Sequence, residues 1–237
     1  MSRHAEIPAT QLRFPLAVDA VVIDLDGTLL HTAPDLTVAV NHTLAELNMP
    51  PVALETVQTY IGNGVSQLIK RVLTGHMDGE PDAVIFARAK ALHEKYYTEV
   101  SGQHSHPFPD VVEGLEVLRK TGYHLGCITN KLEKYTEPLL KETGLFEYFD
   151  LILCGDSLPR MKPDPLPLLH ACEIFATTPD RMLLIGDSQN DTQAARAAGC
   201  YVFCVPYGYN HGRDVNELDT DLVVDSLLSA TKYICKA

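Results

Sequence analysis

The sequence predicts an α/β fold: a Rossmann-like parallel sheet core flanked by helices, interrupted by one inserted α-helical domain. Three observations carry this expectation. Short, nearly unbroken apolar runs recur along the chain; helix-like stretches alternate with most of them; and the segment from 34 to 105 offers helical patterns but no strand. Continuous apolar runs mark strands buried on both faces, and strands that alternate with helices assemble into parallel sheets.

Taken in order, residues 1–17 (MSRHAEIPATQLRFPLA) read as an N-terminal extension without the apolar stretch of a signal peptide. The first strand is AVVIDL at 20–25, a β-branched run carrying Asp24, with Asp26 just beyond its end. Loop-like HTAP at 31–34 and QHSHPFP at 103–109 would be the two hinges of the insertion, dividing the chain into a core of 18–33 and 106–237 and a helical domain of 34–105. Within the insertion, helical patterns fall at 35–47, 54–59, 64–73 and 81–100. Beyond it, strands are expected at 123–128, 150–154, 182–186, 201–205 and 222–224. Helices are expected at 110–121, 131–143, 164–175 and 189–198, the last stopped by Gly199. Pro163, which follows Lys162, suits a first helical turn because its missing N–H would be unpaired there anyway.

A chain of 237 residues, 46% hydrophobic and 21% charged, can build one large domain or two modest ones. Its formal charge of −12 argues against nucleic-acid and anionic-membrane partners, both of which present dense negative charge. No apolar run approaches the roughly 18 residues that a membrane span needs. The six cysteines include no CxxC pair, and several lie inside apolar runs, Cys200 and Cys204 among them. Free thiols of this kind act as small core hydrophobes and point to a reducing, cytoplasmic compartment.

In an open parallel sheet, ligands bind outside the carboxyl ends of the strands. The unusual polar residues collect there: Asp24, Asp26, Gly27 and Thr28 after one run, Thr129 and Asn130 after another, Asp187, Ser188, Asn190 and Asp191 after a third. Three or four acids at one edge would raise one another's pKa values unless a cation neutralised them. Carboxylates with neither His nor Cys among them point to Mg²⁺ rather than zinc. Lys162 would add attraction for a phosphate, whose remaining oxygens Thr129, Asn130 and main-chain N–H groups could hold.

DLDGTL at 24–29, the apolar run ending in Thr129–Asn130, Lys162–Pro163 and GDSQND at 186–191 resemble, in order, the four motifs of the haloacid dehalogenase-like superfamily. DxDGT alone arises by chance on the order of once per 10⁵ positions, so the first motif is specific and the order of the others adds to it. The resemblance implies that Asp24 attacks phosphorus to form an aspartyl-phosphate, and that Asp26 serves the leaving alkoxide and then the attacking water. It further implies that Asp24, the Asp26 carbonyl and Asp187 bind Mg²⁺ with support from Asp191, and that Thr129 and Lys162 grip the phosphoryl group. The acid at 26 disfavours dehalogenation. The insertion resembles the family's cap.

IGNG at 61–64, APDL at 33–36 and DSLPRMKPDPLPLL at 156–169 look most like bacterial phosphoglycolate phosphatases, which implies a small phosphorylated metabolite as substrate and a monomer or homodimer. A phosphosugar phosphatase or phosphomutase shares the same motifs, and a non-catalytic regulatory binding protein could share the fold. His31 stands where many relatives have an acid. In the insertion, main-chain N–H groups at Gly62, Asn63 and Gly64 could meet a substrate carboxylate. Lys70 and Arg71 read more simply as a solvated helix face, and His104 and His106 as loop residues without an acid partner at metal-site spacing.

Overall fold

The computed structural model describes residues 12–237. Ala20–Ile23 (β2) is apolar at every position and fully buried, as a strand with neighbours on both edges and helices on both faces must be. Ahead of it lies β1 (Leu16–Val18), and after it β3 (Leu30–His31). Four helices follow: α1 (Ala33–Glu46), α2 (Leu54–Tyr60), α3 (Gly64–Thr74) and α4 (Ala83–Val100). The chain returns through β4 (His106–Pro107) and then alternates: α5 (Val111–Thr121), β5 (His124–Ile128), α6 (Glu133–Glu142), β6 (Leu151–Leu153), α7 (Leu166–Ile174), β7 (Met182–Gly186), α8 (Gln189–Ala198) and β8 (Tyr201–Cys204). It ends with β9 (Leu222–Val223), α9 (Leu227–Ala230) and β10 (Ile234–Lys236). Gly199, expected to stop α8, does so with φ of 83°, a left-handed conformation that other residues resist.

The main sheet has six parallel strands in the order β6-β5-β2-β7-β8-β9. β2 is therefore central, and the chain winds outward from it first one way and then the other, leaving a crevice at its carboxyl end. Ile23 pairs with Cys127 on one side and Ile185 on the other, so Asp24, Thr129 and Asp187 leave the sheet at nearly one level. Alternation along β2 sends Val21 and Ile23 into one apolar layer with Leu115, Leu118 and Leu139, and Ala20 and Val22 into another with Leu168 and Ala195. Cys200 and Cys204 are buried core, as expected. A third cluster joins Leu36, Val40, Leu44, Val57, Leu68 and Tyr97 of α1–α4, and reaches the sheet side through Tyr135 and Tyr209. Among the described residues no helix is long and apolar enough to cross a membrane.

The structure departs from the sequence-based expectations at several points. Residues 16 and 17, read as part of an N-terminal extension, belong to β1, which pairs in parallel with β10 at the far end of the chain; residues 1–11 lie outside those described. The two hinges pair with each other, Leu30 with Pro107 and His31 with His106. Pro163 lies ahead of α7 rather than in its first turn, after a cis Lys162–Pro163 bond. His104 is a loop residue, as expected, but one fastened to a distant acid: the buried Asp35 carboxylate accepts from the N–H groups of Gly102, His104 and Ser105 and from the Ser105 hydroxyl, and bonds the His104 ring at 2.9 Å. A buried carboxylate needs that many donors to replace its water, and here they tie the start of α1 to the returning chain.

Candidate active site

Asp24 follows directly on β2 and is 7% exposed. Its Oδ1 accepts from Lys162 Nζ at 2.7 Å, and the same ammonium donates to Asp191 Oδ1 at 2.6 Å. The other oxygen of Asp191 accepts from the N–H groups of Asp187 and Ser188 and from the Ser188 hydroxyl, forming a capping box at the start of α8. GDSQND thus starts a helix and holds a charge with the same residues. Asp187 is wrapped by backbone: a Cβ at Gly27 would lie 2.1 Å from its Oδ2 and one at Gly208 2.2 Å from its Cβ, so only glycine lets those segments approach. The Tyr209 N–H donates to Asp187 Oδ2.

Burial, reinforced by Asp191 and Asp26 against the pull of Lys162, raises the Asp24 carboxyl to about 7. Burial and the neighbouring Asp24 and Asp191 hold Asp187 well above the ordinary carboxylate range. Burial alone would lower Lys162, but Asp191 and Asp24 keep its ammonium above its ordinary value. Carboxylate oxygens of Asp24, Asp187 and Asp191 lie within 4.8 Å of one another, with one ammonium bonded to two of them. This oxygen-only set, still short of positive charge, suits a hard divalent cation. Asp191 has donors on both oxygens, whereas Asp24 and Asp187 each have one oxygen bonded to a donor.

Asp26 faces the same cleft, and Lys131 Nζ donates to its Oδ1 at 3.0 Å. Lys131 is 9% exposed and sits 4.9 Å from the centre of the Tyr97 ring on α4. In the sequence only its position marks this lysine: it directly follows Thr129–Asn130, and a cation next to a site motif is the signal that points to it. Thr129 lines the cleft and accepts from the Lys131 N–H at 3.1 Å. Asn130 also lines it, but its amide donates to the carbonyls of Gly62 at 2.9 Å and Lys162 at 2.8 Å, so those hydrogens serve the fold.

Gly62 and Asn63 form contacts between the helical layer and the sheet. The Gly62 carbonyl also accepts from Asn190, and Asn63 donates to Asn190 Oδ1 at 2.9 Å. Arg71 is not on a solvated face: it is buried and donates to Asn63 Oδ1, the Tyr60 carbonyl and the Met77 carbonyl. Lys70, by contrast, pairs with exposed Glu80. Gly64 lines the cleft where α3 begins. His31 Nδ1 lies 2.7 Å from the Tyr209 hydroxyl, linking the hinge to the segment that holds Asp187. The cleft between sheet edge and helices is lined by Asp24, Asp26, Thr129, Lys131, Lys162 and Asp187 below and by Ile61, Leu68, His93 and Tyr97 above.

Residues 21–205 match the sequence profile of the haloacid dehalogenase-like hydrolases. The chain is 63% identical to a phosphoglycolate phosphatase of Thiobacillus denitrificans, over 94% of this chain and 99% of that one. It is 56% identical to a phosphoglycolate phosphatase of Nitrosospira multiformis, over 95% of this chain and 100% of the relative. A crystal structure of a predicted phosphoglycolate phosphatase from Haemophilus somnus superposes with a TM-score of 0.85 at 35% identity, covering 91% of this chain and 97% of that one. With four ordered motifs at one sheet edge and a profile match over most of its length, the chain belongs to the haloacid dehalogenase-like hydrolases.

Proposed function

We propose that this chain is a Mg²⁺-dependent phosphomonoesterase whose substrate is 2-phosphoglycolate. The observation that carries the reading is the division of labour between the two neighbouring acids: Asp24 is bonded to Lys162 and Asp26 to Lys131, on one cleft wall. The substrate is supported by the names of relatives 63% and 56% identical over nearly the whole chain.

In this reading an oxygen of Asp24 attacks phosphorus, a P–O bond forms to the carboxylate, and the P–O bond to the leaving alkoxide breaks. Asp26 delivers a proton to that alkoxide. It then takes a proton from the water that attacks the aspartyl-phosphate, and Asp24 leaves as a free carboxylate. Lys162 and the Thr129 hydroxyl hold phosphoryl oxygens in line. Asp24, Asp187 and the Asp26 carbonyl would hold Mg²⁺ with Asp191 in support; the ion supplies positive charge against the phosphoryl oxygens. Residues 34–105 act as a cap that excludes bulk water, Asn130 and Asn190 grasping Gly62 when it is closed. Cytoplasmic residence is supported by six free cysteines.

The test is steady-state kinetics with Mg²⁺ over 2-phosphoglycolate, ethyl phosphate, ribose 5-phosphate and glucose 6-phosphate. A kcat/KM for 2-phosphoglycolate higher by about 100-fold or more is expected. Equal or better turnover of the sugar phosphates would overturn the substrate.

A further inference from the structure

Some polar groups in the cleft are used neither by the fold nor by the chemistry above. Among the described residues, neither ring nitrogen of His93 has a hydrogen-bond partner, and nor does the Tyr97 hydroxyl. Both residues belong to α4, four positions apart and so on one face, with ring centroids 5.6 Å apart in a stacked arrangement. They are 1% and 2% exposed, and both line the cleft. Native proteins pair nearly all buried polar groups, so two unpaired ones facing a cavity mark the place of a ligand.

Lys131 completes the set. Its ammonium touches Asp26 below and the Tyr97 ring face above. An ammonium carries more N–H donors than one carboxylate contact consumes. Lys162, the other lysine lining the cleft, is already bonded to Asp24 and Asp191 and faces the phosphoryl group.

We propose that Lys131, His93 and Tyr97 bind the carboxylate of the substrate and so select a phosphate ester with one carbon between ester oxygen and carboxylate. This rests on the phosphoglycolate reading. The spacing is the argument: Asp26 serves the ester oxygen, and Lys131 lies 3.0 Å from Asp26, so a carboxylate one carbon further along arrives at the ammonium. The His93 and Tyr97 side chains then donate to it from the helical side. Burial, with Lys131 nearby, lowers His93 to about 4, so at neutral pH it is an uncharged imidazole with one N–H to give. An ester lacking the carboxylate would leave the His93 ring and the Tyr97 hydroxyl unpaired, with Lys131 bonded to Asp26 alone, which is how a site rejects the wrong ligand.

The experiment compares the ratio of kcat/KM for 2-phosphoglycolate to that for ethyl phosphate in wild type, Tyr97→Phe and His93→Phe, with thermal unfolding to confirm folding. Neither variant touches Asp26 directly. We expect the ratio to fall about tenfold in each, mostly through KM for 2-phosphoglycolate. Should an aromatic variant fail to fold, Lys131→Met supplies the same ratio with a larger fall. If wild type prefers 2-phosphoglycolate but the ratio in folded variants stays within about twofold of it, this proposal fails and the substrate reading stands. If wild type shows no preference, both fail.

Discussion

On the sheet side of the cleft, every buried charge has a partner: Lys162 is held by two aspartates, Asp191 by Lys162 and the start of α8, and Asp187 by the Tyr209 N–H. On the helical side, His93 and the Tyr97 hydroxyl line the cleft with no partner among the described residues, and the layer meets the sheet edge through a few hydrogen bonds around Gly62 and Asn63. The difference teaches where this fold places rigidity. In the proposed mechanism, groups that must meet a transition state in fixed geometry are pre-organised by the core, whereas groups proposed to recognise the ligand stay unsatisfied until it arrives.

The comparison can be broken most sharply at Asp24. Asp24→Asn should lose turnover on the order of 10⁴-fold or more while folding normally, because the amide oxygen still accepts from Lys162. A variant that kept a substantial fraction of activity would remove Asp24 as nucleophile. Lys162→Met should be inactive and also lose about 3–5 kcal/mol in urea unfolding, since it strands two buried carboxylates. Little change in stability would mean that the sheet side is not held by its ion pairs.

On the helical side, Asn63→Ala removes the bond to Asn190 and leaves an Arg71 N–H unpaired. It should cost about 1–3 kcal/mol and lower kcat/KM by about tenfold, the fall in kcat/KM being the mark of a cap that closes less often. Unchanged kinetics would mean these contacts do not govern closure.

The smallest effect is in pH dependence, and its sign differs between the two walls. Asp24 at about 7, against an ordinary 3.8, means that the metal-free folded chain binds more protons than the unfolded one. That contribution is full below about pH 4 and is lost as pH rises through 7, so the Tm gained on adding Mg²⁺ should grow from pH 5 to 8. A constant gain would count against Asp24 as a metal ligand. His93, lowered to about 4 from 6.5, stabilises above its ordinary value and loses that contribution as pH falls through 4. His93→Phe should flatten that acid limb by a few degrees in Tm.

Much of this was readable in advance, for reasons particular residues make clear. AVVIDL announced a central strand because burial on both faces demands an unbroken apolar run, and Asp24 stood out because nothing apolar explains it. Arg71 did not stand out: at helical spacing among polar residues it looked solvated, and only the packing of α2 and α3 shows that it braces Tyr60, Asn63 and Met77. Asp35 entered only as part of the APDL run, and its donors come from the chain returning at 102–105, which no local pattern ties to it. β1 was missed because its partner, β10, lies at the opposite end of the chain.

By itself, then, the sequence determined the sheet, the helical insertion and the acids of its motifs, since period, run length and motif spacing are local properties that each segment carries with it. Only the tertiary structure decided which lysine meets which aspartate, that Gly62 and Asn63 fasten the helical layer to the sheet edge, that the Tyr97 ring lies over Lys131, and that its hydroxyl and the His93 ring have no partners among the described residues. Those facts depend on closing long loops between distant segments, and no local pattern records which buried group will be satisfied when the loops close.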